Sequence, residues 1–378
     1  MNQKMTSNIK YLVISDVHLG HHRTTTKEII RHLDIFFSQY RVSDLSGIDI
    51  LFIAGDLFDR LLDFNADDIY EITAWLNRLM RYCGRNKIKL RILEGTPSHD
   101  WKQSAIANTL LPILDIELDF KYISTLHIER MTDLELDILY VPDEWNSTTD
   151  TTLEQVKELL IANNLNQVDI AIMHGMFHHQ CNWGLNNLHA HDAASYLGIV
   201  RHYISIGHIH SFSVNERIIA QGSFDRIGHN EEEPKGAVLI TLDPLGDSYA
   251  FIENKEAKIY KTINIGNRDM ESANKYIDKI LAKLPELSYI RIKAKKQHPI
   301  YAAFEELKKR FLMFNFSKQS LDEDDEVPKS AEVQIEEYRP ITITADNVIT
   351  LILSEIQSKQ SLDISQIELL RSELELKL

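Results

Sequence analysis

The chain has 378 residues, with 41 Lys and Arg against 56 Asp and Glu for a formal net charge of −15, and 44% of it is hydrophobic. That length and apolar content predict two or three domains around at least one real core, and the acidic balance excludes a histone-like protein that neutralises phosphates with clustered cations. The two cysteines, Cys83 and Cys181, make no CxxC pair and no disulfide framework, and without an apolar run of membrane-spanning length or a signal-peptide core the expectation is a cytoplasmic chain with no membrane contact.

In chain order, residues 11–15 (YLVIS) run directly into DVHLG. A helical period over 27–39 follows, then residues 50–54 (ILFIA) run into GDLFD, with a second helical period over 66–82. Residues 90–93 lead to EGTPSHD, residues 169–173 to HG, and residues 203–206 to GHIH. The runs are too short for helices and rich in Ile, Val and Tyr, so they predict buried strands. Strand alternating with helix is an α/β pattern, in which functional groups gather past the carboxyl ends of strands. Five such loops predict one shared site.

Beyond about residue 240 the texture changes. Strands are expected at 239–242 and 249–252, then a helix at 270–284, a strand at 289–294 and a helix at 301–311, together a small α+β module. The expected division is a first domain over 1–255, the module over 256–320, an acidic linker over 321–344 and a helical tail over 345–378. In that tail Val348, Ile352, Ile356, Ile367, Leu370, Leu374 and Leu378 share one face, with Asp346 and Asp363 placed as caps. A short amphipathic pair of this kind must fold back or dock on a partner.

The chemistry-bearing residues sit in the five loops: Asp16 and His18, Asp56, His174, and His208 with His210. Two carboxylates and four imidazoles suit first-row transition metals better than magnesium. Six converging ligands exceed what one tetrahedral zinc needs, so they favour two ions sharing a carboxylate, with Asp56 as the expected bridge. Such a pair clamps a phosphate ester and lowers the pKa of a water to make the attacking hydroxide. A proton donor or cation beside the leaving oxygen completes the set, and His99 is the candidate. Taken singly, Asp16, His18 or His174 reads more readily as a core or capping residue, and only the set reverses that. Asp59 and Asp100 read as supporting groups. His21, His22, His178, His179, His189 and His191 read as loop residues, and Trp101 and Trp183 as packing under loops rather than stacking on a base.

As an ordered set, DVHLG, GDLFD, SHD, MHG and GHIH resemble the five motifs of calcineurin-like metallophosphoesterases. The spacing and the GDLFD wording are most similar to SbcD-type DNA nuclease subunits, over roughly residues 10–240, and QGSFDR and KGAVLI extend the likeness. The resemblance implies an α/β sandwich of two β-sheets flanked by helices, a small α+β capping domain and a C-terminal helical pair. It implies Asp16, His18, Asp56 and His210 on a first divalent ion, Asp56, His174 and His208 on a second, manganese as the metal, and His99 at the leaving group. The family's third motif reads GNHD, with the Asn on the second ion, whereas this chain reads GTPSHD. Alignment on the HD pair puts Ser98 in the Asn position, as a second-ion or water-mediated ligand. Further implications are DNA as substrate, with Arg291, Lys293, Lys295, Lys296, Lys308, Lys309 and Arg310 helping to hold it, an SbcC-type SMC-like ATPase partner on residues 345–378, and a homodimer. A stand-alone phosphatase or phosphodiesterase acting on nucleotides or phosphoproteins is the second expectation, and a non-enzymatic scaffold with a decayed site the third.

Overall fold

The computed structural model describes residues 8–22, 24–39, 47–62, 67–143, 146, 148–181 and 189–321. The tail over 345–378, nearly all of the acidic linker and Trp183 lie outside the described residues.

Two six-stranded mixed sheets form the body. The first runs, edge to edge, Ser248–Glu253, Gly236–Leu242, Ile9–Ile14, Ile50–Ala54, Lys89–Leu93 and Phe120–Ile123. Its last four strands are parallel neighbours, and Gly236–Leu242 pairs antiparallel on both sides. The second runs Ser213–Asn215, Ile218–Ala220, Ile204–Gly207, Ile170–His174, Leu136–Val141 and His127–Met131, parallel in the middle and antiparallel at each edge.

Strand alternation assigns each side chain to a layer. Tyr11 and Val13 pack in a core shared with Ile138, Tyr140, Ile170 and Ile172 of the other sheet, while Leu12 and Ile14 face the helices Thr26–Gln39 and Asp67–Asn86. On the far side, Leu139 and Val141 pack with Val156 and Leu160 of the helix Thr149–Ala162. Because both sheets are covered on both faces, their central strands are continuously apolar. Charged links cross between the sheets at Glu129: buried Arg91 grips it with two N–H···O bonds of 2.9 Å, and Lys121 pairs with it as well. Burial pushes the Glu129 carboxyl up, but Arg91 and Lys121 hold it below its ordinary range.

The parallel sheet Tyr260–Asn264, Tyr289–Ala294 and Asn315–Ser320 forms the small module, with its own core of Ile263, Ile277, Ile290, Ile292 and Phe304. The helix expected at 301–311 is instead two, Pro299–Ala302 and Phe304–Arg310. His298 caps the first by accepting from Ile300 N, and Pro299 is preset for the first helical position, so the start moves upstream. The strand Asn315–Ser320 was not foreseen, because its NFSKQS sequence is a half-exposed edge with no apolar alternation. The basic cluster of this module is partly compensated: Lys308 pairs with Glu305 at 3.2 Å and Arg310 with Asp278. Among the described residues no helix is long and apolar enough to cross a membrane.

Candidate metal centre

The backbone builds the site before the side chains do. Asp16, His18, Asp56 and His208 all adopt left-handed φ values, of 50°, 54°, 50° and 93°. Each costs an L-residue on the order of 1–2 kcal/mol, which surrounding bonds must offset. The first and second loops are tied together by Val17 N donating to Asp56 O at 2.8 Å and His18 N to the same oxygen at 3.1 Å. Buried Asp100 locks the second loop to the third by accepting from Asp56 N, Phe58 N and Gly95 N at 3.0, 2.9 and 2.7 Å. Gly95 is required there, since a Cβ would stand 2.1 Å from Asp56 N. At Gly55, with φ +84°, a Cβ would stand 2.1 Å from His174 Nδ1.

All six expected ligands and His99 come together. Their ligand atoms fall into three groups, each within 4.8 Å: Asp16, His18 and His210; His18, Asp56 and His99; Asp56, His174 and His208. Asp56 stands in two groups, with Oδ1 3.2 Å from His174 Nε2 and Oδ2 2.8 Å from His99 Nδ1. His18 Nε2 and His210 Nε2 face each other at 3.1 Å, two nitrogens that can each offer a lone pair to one cation. The chemistry of this donor set therefore fits bound metal.

His210 and His174 are each oriented through the far ring nitrogen, which fixes the tautomer. His210 Nδ1 donates to Glu231 Oε1 at 2.7 Å, and His18 Nδ1 lies 3.3 Å from Asp59 Oδ1. His174 Nδ1 donates to the Ala54 carbonyl at 2.8 Å, leaving Nε2 toward the site. Burial pushes Asp56 up, yet His174, His99 and His18 hold its carboxyl well below the ordinary range. The reverse holds for His174, where burial disfavours the cation and Asp56 more than restores it. Hydrogen bonding to Asp56 raises His99, whose side chain remains 36% exposed. Glu231, pushed up by burial, is brought down to about 2 by His210 and Lys235.

The third loop corrects the placement of Ser98. Ser98 is exposed, and its carbonyl accepts from Trp101 Nε1 at 2.8 Å. It is Thr96 that enters the cluster: Oγ1 lies 3.2 Å from Asp56 Oδ2, 3.3 Å from His174 Nε2 and 3.4 Å from His208 Nδ1, and its N–H donates to Asp56 Oδ1 at 2.6 Å. Ser98 lies two positions further on, in the short helix Pro97–Asp100. Counting forward from Gly95 would have found Thr96 in the sequence.

Glu231 and Lys235 were also missed, because NEEEPKG reads as a solvated charge run. Lys235 is buried, donating to the His210 carbonyl at 2.7 Å and pairing with Glu231 at 3.2 Å. Asp59 and Asp100 support the loops as expected of them. Trp101 does not pack under a loop; it is 53% exposed. His21, His22, His178, His179, His189 and His191 belong to none of the three groups found among the described residues.

No protein-family model matches the chain, and no curated protein matches it. It is similar to a solved crystal structure at 12% identity, with the alignment covering 66% of this chain and 100% of that one at a TM-score of 0.39.

Proposed function

We propose that the chain is a calcineurin-like metallophosphoesterase of the SbcD type, a DNA nuclease subunit that uses two divalent ions, manganese foremost. The observation that carries this reading is the convergence of six Asp and His side chains from strand-end loops into three adjoining groups, two of which share Asp56 while His18 links the third to them. Asp16, His18, Asp56 and His210 would hold one ion, and Asp56, His174 and His208 the other, with the Thr96 hydroxyl beside the second. Ions held there would clamp the phosphate, lower the pKa of a water and stabilise charge on the leaving oxygen.

The chain's own groups complete the chemistry. The ring of His99 lies against that of His18, with centroids 5.1 Å apart, and its Nδ1 proton is held by Asp56, which leaves the other ring nitrogen for the leaving oxygen. Asp59, Glu231 and the Ala54 carbonyl keep the imidazoles aimed, so little reorganisation is needed when substrate arrives. A homodimer and an SMC-like ATPase docked on residues 345–378 belong to the same proposal, through the apolar stripe of that segment.

The test is hydrolysis of end-labelled linear duplex DNA and of a chromogenic phosphodiester, each with manganese, magnesium or chelator, by the intact chain and His99→Ala. Manganese-dependent DNA degradation lost in the variant is the expected result. Diester cleavage with no action on DNA, even with an ATPase partner added, would favour a stand-alone phosphodiesterase. No hydrolysis of either substrate with any metal would sink both.

A further inference from the structure

Beside the metal centre lies a cleft of about 570 Å³ that none of the residues discussed as ligands lines. That volume falls within the range of small-molecule sites. One wall is the third loop, through Pro97 and Trp101, and the opposite wall is Pro142 and Asp143, just past the strand Leu136–Val141. Pro97 directly follows Thr96, whose hydroxyl is in the cluster, so a lining residue of the cleft and a residue of the centre are joined by one peptide bond.

Trp101 is held out rather than packed in. It caps the short helix Pro97–Asp100 in a left-handed conformation, φ 47°. That conformation is unfavourable for a bulky residue. Its indole N–H is engaged by the Ser98 carbonyl at 2.8 Å, which fixes the ring, and more than half of its surface stays in solvent at the edge of the cleft. A fixed, half-exposed indole with Leu126 and Pro142 among the other lining groups is a stacking platform for a flat ring.

The charges exclude phosphate as the occupant of the cleft itself. Among the described lining residues Glu94 and Asp143 outnumber the single cation, Lys102. Glu94 is spent on structure, accepting from Lys102 N and from Tyr122 Oη, each at 2.6 Å. Asp143 and the Ser124 side chain bring acceptors to a neutral ring that carries exocyclic amino groups.

We infer that this cleft binds a nucleobase adjacent to the scissile phosphate, stacked on Trp101 and favouring cytosine or a purine over thymine. The inference rests on the phosphodiesterase reading of the centre, which supplies the neighbouring phosphate. It makes Trp101 a binding residue for single-stranded or unpaired substrate, since a stacked base must leave its duplex partner.

The experiment is titration of the full chain, in chelator, with deoxycytidine, thymidine and 2-deoxyribose, followed by ligand-observed NMR. Neutral ligands are used so that the acidic centre stripped of metal does not repel them. Deoxycytidine should bind at least tenfold more tightly than deoxyribose and more tightly than thymidine. Trp101→Ala should erase the difference from deoxyribose, and Trp101→Phe should restore it. Equal binding of deoxycytidine and deoxyribose, no binding of either, or an unchanged Trp101→Ala would overturn the inference. If base discrimination is absent while manganese-dependent DNA cleavage persists, the cleft assignment alone falls; if discrimination is present and cleavage is not, the nuclease reading falls.

Discussion

The half of the centre built on Asp16, His18 and His210 and the half built on Asp56, His174 and His208 aim their imidazoles by different means. In the first, the outward nitrogens meet carboxylates: Asp59 behind His18 and Glu231 behind His210. In the second, His174 meets the neutral Ala54 carbonyl, and a threonine hydroxyl stands where both His174 and His208 can reach it. A carboxylate partner raises the basicity of a ligating imidazole, whereas a carbonyl mainly orients it. The first half is therefore expected to bind metal more tightly, so the two positions should fill in order rather than together.

Asp56 belongs to the second half by geometry and to both by the proposed bridge, so its loss should be the most damaging. Asp56→Ala should cut manganese-dependent DNA hydrolysis by about 10³-fold or more, the several kcal/mol that paired ions supply, and should abolish ordered loading in a metal titration. Retention of two equivalent ions would break the comparison at its root. Next in size is metal stabilisation: each filled site should raise unfolding stability by about 2.7 kcal/mol at a hundredfold excess over its Kd. Thermal unfolding against manganese concentration should then rise in two stages, and a single stage would mean that the halves do not differ.

Glu231→Gln keeps the shape behind His210 but removes the charge. The tighter site should weaken by about 10- to 100-fold while the weaker one holds, as read by calorimetric titration with manganese. The smallest effect concerns the third loop. Thr96→Val should loosen only the weaker site, by about tenfold, the scale of one lost hydrogen-bonding group at a charged centre, and Ser98→Ala should change nothing. If Ser98→Ala acts and Thr96→Val does not, the loop is matched from its HD pair after all.

What could be read from the sequence follows the same division between charge-bearing loops and everything else. Asp16, Asp56, His174 and His208 were legible because a polar cluster abruptly ends an apolar run, a pattern that buried parallel strands impose. The flanking strands were harder. Leu136–Val141 is as buried as any central strand, but the polar run PDEWNSTTD that follows it carries no histidine to mark it, and His127–Met131 is a mixed edge whose Glu129 is inside because Arg91, Lys121 and Tyr140 meet it. Thr96 was obscured by the choice of alignment point within GTPSHD, and Glu231 by two neighbouring glutamates of identical chemistry. In each case the missing information was a long-range partner, since Glu231 and His210 are 21 positions apart.

The left-handed backbone at Asp16, His18, Asp56 and His208 has a consequence for how this chain can change. Positions that favour glycine but carry ligands are places where durability and chemistry pull in opposite directions. Selection for heat resistance alone should drift toward small residues at these four sites, yielding sturdier and inert descendants.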